Sequence, residues 1–232
     1  MKQPRRIEVW DLPVRLFHWL IVILVVCSFV TAKLGNMDLH LWSGAGILAL
    51  VLFRLIWGFV GNRYARFASF AYGPVAGLRY LRDWLRRPTD RNRRHYLGHN
   101  PVGGWMVFAL LALLAWQATI GLFANDDILF DGPLRKYVSD ETSAQLTSWH
   151  HRGEWVFYVL IALHVLAVLG YAVLRRENLV GPMFTGRKAI EPEVRPVDEP
   201  TDEAGAGRPS LVLALVIFAI TFGAVIAVVK LA

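Results

Sequence analysis

Cysteine is nearly absent from this 232-residue chain, since only Cys27 occurs and it lies inside an apolar run. One thiol excludes a disulfide framework or a thiolate metal cluster within the chain, so we expect a buried structural side chain. Acidic residues are also scarce in the apolar runs, where Glu154 is the exception. A histidine-lined metal or proton transporter would need carboxylates and histidines clustered around a shared midplane site, so this scarcity disfavours that class of protein.

A cleavage signal is absent as well. No small-residue cleavage site follows the first apolar run, Leu16 to Ala32, so we expect a first membrane span and no cleavable signal peptide. The whole chain is 55% hydrophobic, contains nine tryptophans and has a positive mean hydropathy. A soluble domain of this length cannot bury so much apolar surface, so the composition predicts a membrane protein.

Five apolar segments have the length of about 20 residues that crosses a bilayer. They are residues 14–34, 39–60, 104–124, 150–174 and 210–230. Asp11 with Pro13, and Asp38, are the expected start signals of the first two helices. The pattern therefore predicts an all-α membrane protein with a fifth, C-terminal transmembrane helix.

Most of the 25 lysines and arginines lie on one side of the predicted membrane. They are in the N-terminal segment, between the second and third spans, and between the fourth and fifth spans. The positive-inside rule then predicts a cytoplasmic N-terminus and a C-terminus on the outer side. The net charge of +7 is explained by contact with membrane lipid, and we expect no nucleic acid partner.

Three connections have patterns of their own. Residues 73–87 place their leucines on one helical face with arginines elsewhere, which predicts an amphipathic helix along the inner membrane surface. Residues 125–141 are acidic and predict either a solvated outer loop or an attraction for a cationic partner. Residues 189–209 are rich in proline, glycine and acid, which predicts a flexible cytoplasmic linker.

The fourth span carries His150 and His164, and a histidine in hydrocarbon is unfavourable unless its nitrogens are used. On an ideal helix these two point about 40° apart and lie about 21 Å apart along the axis, so they share a face at two depths. His18 lies at the inner end of the first span and His40 at the outer end of the second. The depths pair His40 with His150 and His18 with His164. Facing imidazoles at two depths predict two six-coordinate haem irons that carry electrons across the membrane.

The neighbouring residues agree with this prediction. Gly44 lies one turn beyond His40, where a missing side chain lets a porphyrin face approach the helix. Arg54 is on the same face nearer the inner side, and as a charge within a span it needs an anionic partner, for which we expect a haem propionate. Arg152 is a second candidate partner for a haem propionate, and Arg15 is a weaker one. The alternative for both is a position at the membrane surface, with the charged end of the side chain in water.

The remaining histidines and several tryptophans have simpler expected roles. His151 is expected either to support the ligand from behind or to face solvent, with replacement of His150 as the ligand left open. His95 and His99 are expected to be solvated or among headgroups, with a propionate or quinone contact as the alternative. Interfacial anchoring is expected for Trp42, Trp57, Trp105 and Trp149.

At these positions the chain resembles the bacterial cytochrome b561 family, which shares a domain with the cytochrome b subunits of nickel–iron hydrogenases. The matching stretches, which together cover about residues 7–188, are VWDLPVRLFHWL (9–20), HLWSGAGILALVLFRLIWGFVGNRYARF (40–67), GHNPVGG (98–104), the pair His150 and His164, and NLVGPMFTGRK (178–188).

The resemblance implies that residues 1–188 form a four-helix transmembrane haem-binding bundle. It implies two b-type haems, with electron exchange between membrane quinone and a redox partner. The iron ligands that it implies are His18, His40, His150 and His164. It says nothing about the acidic linker 189–209 or the last span in residues 210–232, which contains no histidine.

The leading functional expectation is a bacterial inner-membrane cytochrome that carries electrons between the quinone pool and a periplasmic redox protein such as a c-type cytochrome. The alternative is the membrane-anchoring cytochrome b subunit of a hydrogenase or another dehydrogenase. The third hypothesis, which the residues support least, is the histidine-lined metal or proton transporter. Cytochromes of this type commonly pair, so a homodimer remains open.

Overall fold

The computed structural model describes residues 4–87, 89, 95–126, 130–199 and 210–231. Five of the described helices are long and apolar enough to cross a membrane: α1 (Leu12–Lys33), α2 (Met37–Val60), α4 (Pro101–Gly121), α5 (Asp140–Leu174) and α7 (Leu211–Leu231). The shorter elements are α3 (Pro74–Arg86), α6 (Val180–Thr185) and the strands β1 (Arg5–Glu8) and β2 (Arg187–Ile190). The prediction of an α-helical membrane protein with five spans is confirmed.

The chain divides into two compact units. The first unit comprises Met1–Arg15, Trp57–Phe108 and Ile161–Ser210. The second unit comprises Leu16–Ile56, Ala109–Leu160 and Leu211–Ala232. Helices α1, α2, α4 and α5 each contribute residues to both units.

Asp11 starts α1 as its sequence position predicts. Its Oδ1 accepts a hydrogen bond from the backbone N–H of Val14 at 2.8 Å, which satisfies one of the free donors of the first turn. Its Oδ2 accepts a second hydrogen bond from Trp57 Nε1 at 3.1 Å. Trp57 is fully buried, so the expectation that it anchors the chain at the membrane surface is wrong. The indole N–H has a protein acceptor and needs no headgroup.

The starts of α2 and α5 differ from the predicted ones. Asn36, and not Asp38, caps α2, because Asn36 Oδ1 accepts the N–H of Leu39 at 3.1 Å. Helix α5 begins at Asp140, ten residues before the predicted span, and Ser139 Oγ accepts the N–H of Thr142 at 3.2 Å. The added turns are polar, so a hydropathy pattern does not detect them.

The first unit contains a two-stranded antiparallel sheet in which Arg5 of β1 pairs with Ile190 of β2. Ile190 belongs to a buried apolar cluster with Val9, Tyr64 and Leu97. Burial raises the pKa of Tyr64 to about 12, and the Asp198 carboxylate adds to this effect, so the phenol stays protonated at neutral pH. The sheet and the cluster join segments that are far apart in the sequence.

Residues 189–199 have a defined position, which differs from the expected flexible linker. Asp198 accepts hydrogen bonds from the backbone N–H groups of Leu97 and Gly98, at 2.6 and 2.8 Å. Glu199 forms a salt bridge with Arg5 at 2.8 Å. Two of the acidic residues that suggested a solvated linker, Asp198 and Glu199, are therefore acceptors for backbone and side-chain donors. The rest of the predicted linker, residues 200–209, lies outside the described residues.

In the second unit, α7 packs against α2. Ala45 and Ala49 of α2 form a buried cluster with Val225 of α7. The rings of Phe53 and Phe218 meet edge to face with centroids 6.2 Å apart. Small residues on α2 allow the two helices to approach closely, which is the usual basis of helix association in membranes.

Candidate functional site

His40 of α2 and His150 of α5 come together in the second unit. Their ring centroids are 5.9 Å apart and their planes are at 84°. Both line a cavity of about 290 Å³ whose walls are largely apolar side chains such as Val25, Phe29 and Leu114. The outer pair expected from helix geometry is therefore adjacent, in a pocket close to the lower end of the usual range for ligand sites, about 300–1,000 Å³.

Backbone carbonyls orient both rings. His40 Nδ1 lies 2.9 Å from the carbonyl oxygen of Ser28 and 3.1 Å from Ser28 Oγ. His150 Nδ1 lies 3.1 Å from the carbonyl oxygen of Gln117. A carbonyl oxygen can only accept, so Nδ1 carries the proton in both rings and Nε2 is the nitrogen left for a metal. This is the arrangement in which metal-binding histidines are usually held.

Gln117 holds His150 at two points. Its carbonyl accepts from the ring, and its side-chain Nε2 donates to the backbone carbonyl of His150 at 2.8 Å. Two glycines make this approach possible. A Cβ on Gly153 would lie 2.4 Å from the Gln117 side chain, and a Cβ on Gly121 would lie 3.0 Å from the His150 ring.

Sequence reasoning missed Gln117, Ser28 and the two glycines. The available signal was Gln117 itself, a single amide within the otherwise apolar run 101–121. A polar side chain within a span is expected to have a specific partner.

Gly44 lies where the sequence predicts open space. It lines the cavity, and a Cβ built there would have no atom within 4 Å. By contrast, a Cβ on Gly46 would lie 2.9 Å from Leu24 Cδ1, so Gly46 allows α1 and α2 to pack closely. The two neighbouring glycines thus serve different purposes.

Lys33, and not Arg152, is the basic side chain that lines this cavity among the described residues. Lys33 Nζ forms a salt bridge of 2.7 Å with Glu154, which also accepts the Tyr158 hydroxyl. Arg152 is exposed, since it follows His150 by two residues and points about 200° away on the helix. His151 is exposed as well, although it contributes to the cavity wall.

The other predicted site residues are distributed over both units. His18 is half-buried and meets Trp19 edge to face with ring centroids 5.0 Å apart. Arg54, in the same unit as His18, is only 3% exposed. His164 is half-buried and belongs to the first unit. Its pairing with His18 stays a prediction.

His99 does not have the expected solvated position. Its ring lies between Trp10 and Phe70, with centroid distances of 4.7 and 4.6 Å. The aromatic neighbours explain its place inside the first unit. The backbone carbonyl of His95 accepts the N–H of Val197 at 2.8 Å.

Among the described residues, no group of three or more histidine, cysteine or acidic side chains is arranged to hold a metal ion. The pair of His40 and His150 would suit a haem iron, because a porphyrin would supply four nitrogens and the protein would need to supply only two imidazole nitrogens. The ring centroids are 5.9 Å apart, which is close enough for one metal with bonds of about 2 Å to reach both rings.

Comparison with known proteins points to one family. The family described as prokaryotic cytochrome b561 matches residues 9–186. The chain is 27% identical to the "Probable Ni/Fe-hydrogenase B-type cytochrome subunit" of Rhodobacter capsulatus, over 80% of this chain and 82% of that protein. It is 24% identical to the "Probable Ni/Fe-hydrogenase 1 B-type cytochrome subunit" of Escherichia coli K12, over 78% and 90%. No solved structure matches the chain.

Proposed function

Since the chain belongs to the prokaryotic cytochrome b561 family, we propose that it is the membrane cytochrome subunit of a hydrogenase or a related dehydrogenase. It receives electrons from a catalytic subunit and passes them to membrane quinone. The comparisons favour this reading over the periplasmic c-type cytochrome that leads the expectations from sequence. The support is that curated relatives covering most of both chains are named as hydrogenase cytochrome subunits.

A b-type cytochrome binds haem b, and the outer haem is proposed to lie between His40 and His150. The observation that carries this assignment is the pair of adjacent imidazoles whose Nδ1 atoms are both engaged by carbonyls. When bound, the haem supplies an iron that takes up and releases one electron at a time. The chain's part is to present two Nε2 atoms and to surround the macrocycle with apolar side chains.

A second haem is proposed between His18 and His164. Its support is the helical spacing of His150 and His164, which places them on one face at two depths. Arg54 is proposed to lie near a propionate of this inner haem, because it is a buried charge within the second span, 14 residues beyond His40 on the same helical face and nearer the inner side. At the outer site Lys33 takes the place that the sequence suggests for Arg152.

The orientation follows the positive-inside rule, with the outer site and residues 125–141 on the periplasmic side. A catalytic subunit docks there in this proposal. Oxidation of one hydrogen molecule releases two protons and two electrons. The two electrons cross the bundle and, together with two protons, reduce quinone to quinol.

A soluble c-type cytochrome is the second candidate partner. The outer segment contains Asp126, Asp131 and Glu141, and these carboxylates suit a cationic protein surface. Asp140 is already paired with Arg135.

The two candidates are separated by the electron donor that reduces the haem. In native membranes containing the chain, we expect hydrogen gas to reduce its haem b, measured as the reduced-minus-oxidised absorbance. His40→Ala should abolish most of that signal, whereas His151→Ala should keep it. If hydrogen leaves the haem oxidised while a reduced c-type cytochrome reduces it, the second candidate is correct. If no preparation contains haem, both are wrong.

A further inference from the structure

Helix α3 presents three different faces at helical spacing. Its sequence places one glycine and two aromatic residues on the first face, three leucines on the second and three arginines on the third. Each set spans about 60° on an ideal helix, and the leucine face lies between the other two. The sets are Gly77, Tyr80 and Trp84; Leu78, Leu81 and Leu85; and Arg79, Arg82 and Arg86.

The first face docks on the first unit. A Cβ on Gly77 would lie 2.1 Å from the Trp105 ring, so only glycine permits this contact. The hydroxyl groups of Tyr80 and Tyr171 are 2.5 Å apart, and Asn100 Nδ2 donates to Tyr171 at 2.9 Å. Tyr171 is 9% exposed, so this polar contact is buried. It links α3 directly to α5.

Trp84 extends the same contact. Its ring centroid lies 6.3 Å from that of Tyr171, and the guanidinium of Arg175 lies 5.6 Å from each of the two rings. Arg175 is 8% exposed. The end of α5 and the end of α3 are thus held together by stacked aromatic and cationic groups.

The second face is apolar and exposed. Leu78, Leu81 and Leu85 are 60%, 38% and 63% exposed. Three adjacent exposed leucines on a helix that is otherwise docked would be unfavourable in water. Acyl chains at the edge of a bilayer cover such a face without any further protein.

The third face is cationic. Arg79, Arg82 and Arg86 are all exposed, and of these Arg82 has a surface ion pair with Asp83 at 3.2 Å. A row of arginines beside a row of leucines matches a layer of anionic headgroups above acyl chains. An acidic soluble protein would match the arginines but would leave the leucines in water.

We propose that α3 binds anionic phospholipid, with Arg79, Arg82 and Arg86 on the headgroup phosphates, and that the Tyr80–Tyr171 pair transmits this binding to α5. Tyr171 follows His164 by seven residues and lies on the same helical face. A lipid that stabilises the docked α3 therefore also stabilises the end of the helix that carries a predicted haem ligand.

The lipid part is tested with full-length, haem-containing protein in nanodiscs. Discs of phosphatidylcholine alone are compared with discs that also contain phosphatidylglycerol, and hydrogen–deuterium exchange is measured over residues 74–86. We expect slower exchange with phosphatidylglycerol, because a ligand of the docked helix opposes its opening. Equal exchange in the two kinds of disc overturns the proposal, whichever variants fold.

Arginine variants identify the binding residues. Arg79→Gln, Arg82→Gln and Arg86→Gln together should remove the difference between the two kinds of disc. The matched control combines Arg63→Gln, Arg187→Gln and Arg195→Gln, which removes the same charge from exposed positions outside α3 and should preserve the difference. Loss of the difference in both variants would mean that overall charge, and not α3, attracts the lipid.

The coupling part has its own readout. In the wild type, phosphatidylglycerol should also slow exchange over the last turns of α5, residues 168–174. Tyr80→Phe removes one hydroxyl and should abolish the effect on α5 while that on α3 remains. If Tyr80→Phe leaves the effect on α5 unchanged, the tyrosine pair does not transmit it. These exchange measurements do not depend on which protein donates electrons to the haem.

Discussion

At the scale of single residues, backbone carbonyls decide which nitrogen of each imidazole carries the proton. The backbone carbonyls of Ser28 and Gln117 accept hydrogen bonds from the Nδ1 atoms of His40 and His150, which leaves Nε2 of each ring for another partner. The donors and acceptors come from four helices, α1, α2, α4 and α5. The orientation of the two imidazoles is therefore sensitive to residues on other helices.

Gln117→Leu is expected to weaken the outer haem site without emptying it. The change removes the side-chain hydrogen bond to the His150 carbonyl, which contributes about 1 kcal/mol, but it keeps the carbonyl that orients the ring. Haem loss, followed by transfer to apomyoglobin, should be faster by roughly fivefold, since a tenfold change corresponds to about 1.4 kcal/mol. A redox titration should show a changed potential for one haem only.

Gln145→Leu is the control for this substitution. Gln145 is exposed, and its replacement by leucine makes the same change in polarity. If both variants lose haem at the wild-type rate, Gln117 does not position His150.

At the scale of elements, small residues determine where helices meet. Ala45 and Ala49 of α2 are almost completely buried against α7, and Ala214 of α7 is 7% exposed. The methyl side chain of alanine contributes little contact area, but it allows the two helix backbones to approach closely. The fifth span is in this way an integral part of the second unit, although the family resemblance does not include it.

Ala214→Leu is expected to destabilise the protein, whereas Ala224→Leu on the exposed face of the same helix should have little effect. Overpacking a buried contact costs about 1–3 kcal/mol, and lipid accommodates an added isobutyl group. Thermal unfolding in detergent, followed by haem absorbance, compares the two. Equal melting temperatures would show that close packing around Ala214 does not limit the stability of the protein.

At the scale of the whole molecule, the distribution of basic residues predicts the orientation. The basic connections precede α1, follow α2 and follow α5, whereas the outer segments carry few cations. Under the proposed function, this orientation decides on which side of the membrane a catalytic subunit would dock.

Reporter fusions test the orientation. Green fluorescent protein inserted after Arg87 should fluoresce, because that connection is expected in the cytoplasm. Alkaline phosphatase fused after Ala232 should be active, because the enzyme needs the oxidising periplasm. If alkaline phosphatase fused after Arg87 is active instead, the topology is the reverse of the expected one. The proposed partner would then dock on the other side of the membrane.

Much of the fold could be predicted because its signals are local. Hydropathy located five spans with ends within a few residues of the observed helices, apart from the polar start of α5. Helical spacing together with depth along the spans selected His40 and His150 as a pair, and the structure brings them together. These inferences need only the 3.6-residue turn and the thickness of a bilayer.

Other features depend on contacts between distant residues. The position of Trp57 depends on its hydrogen bond to Asp11. The position of Asp198 depends on its hydrogen bonds from Leu97 and Gly98, about a hundred residues away. Tryptophans near span ends are usually interfacial, and acidic, proline-rich segments are usually solvated. Those general expectations failed because specific hydrogen-bond partners lay elsewhere in the chain.

The sequence by itself determined the number of spans, the faces of the histidines and the family, because each depends on patterns within single helices. Only the tertiary structure decided that Ser28 and Gln117 orient the imidazoles of His40 and His150 and that Lys33 lines the cavity in place of Arg152. Helix rotation and packing bring these side chains together, and no pattern along one helix contains that information.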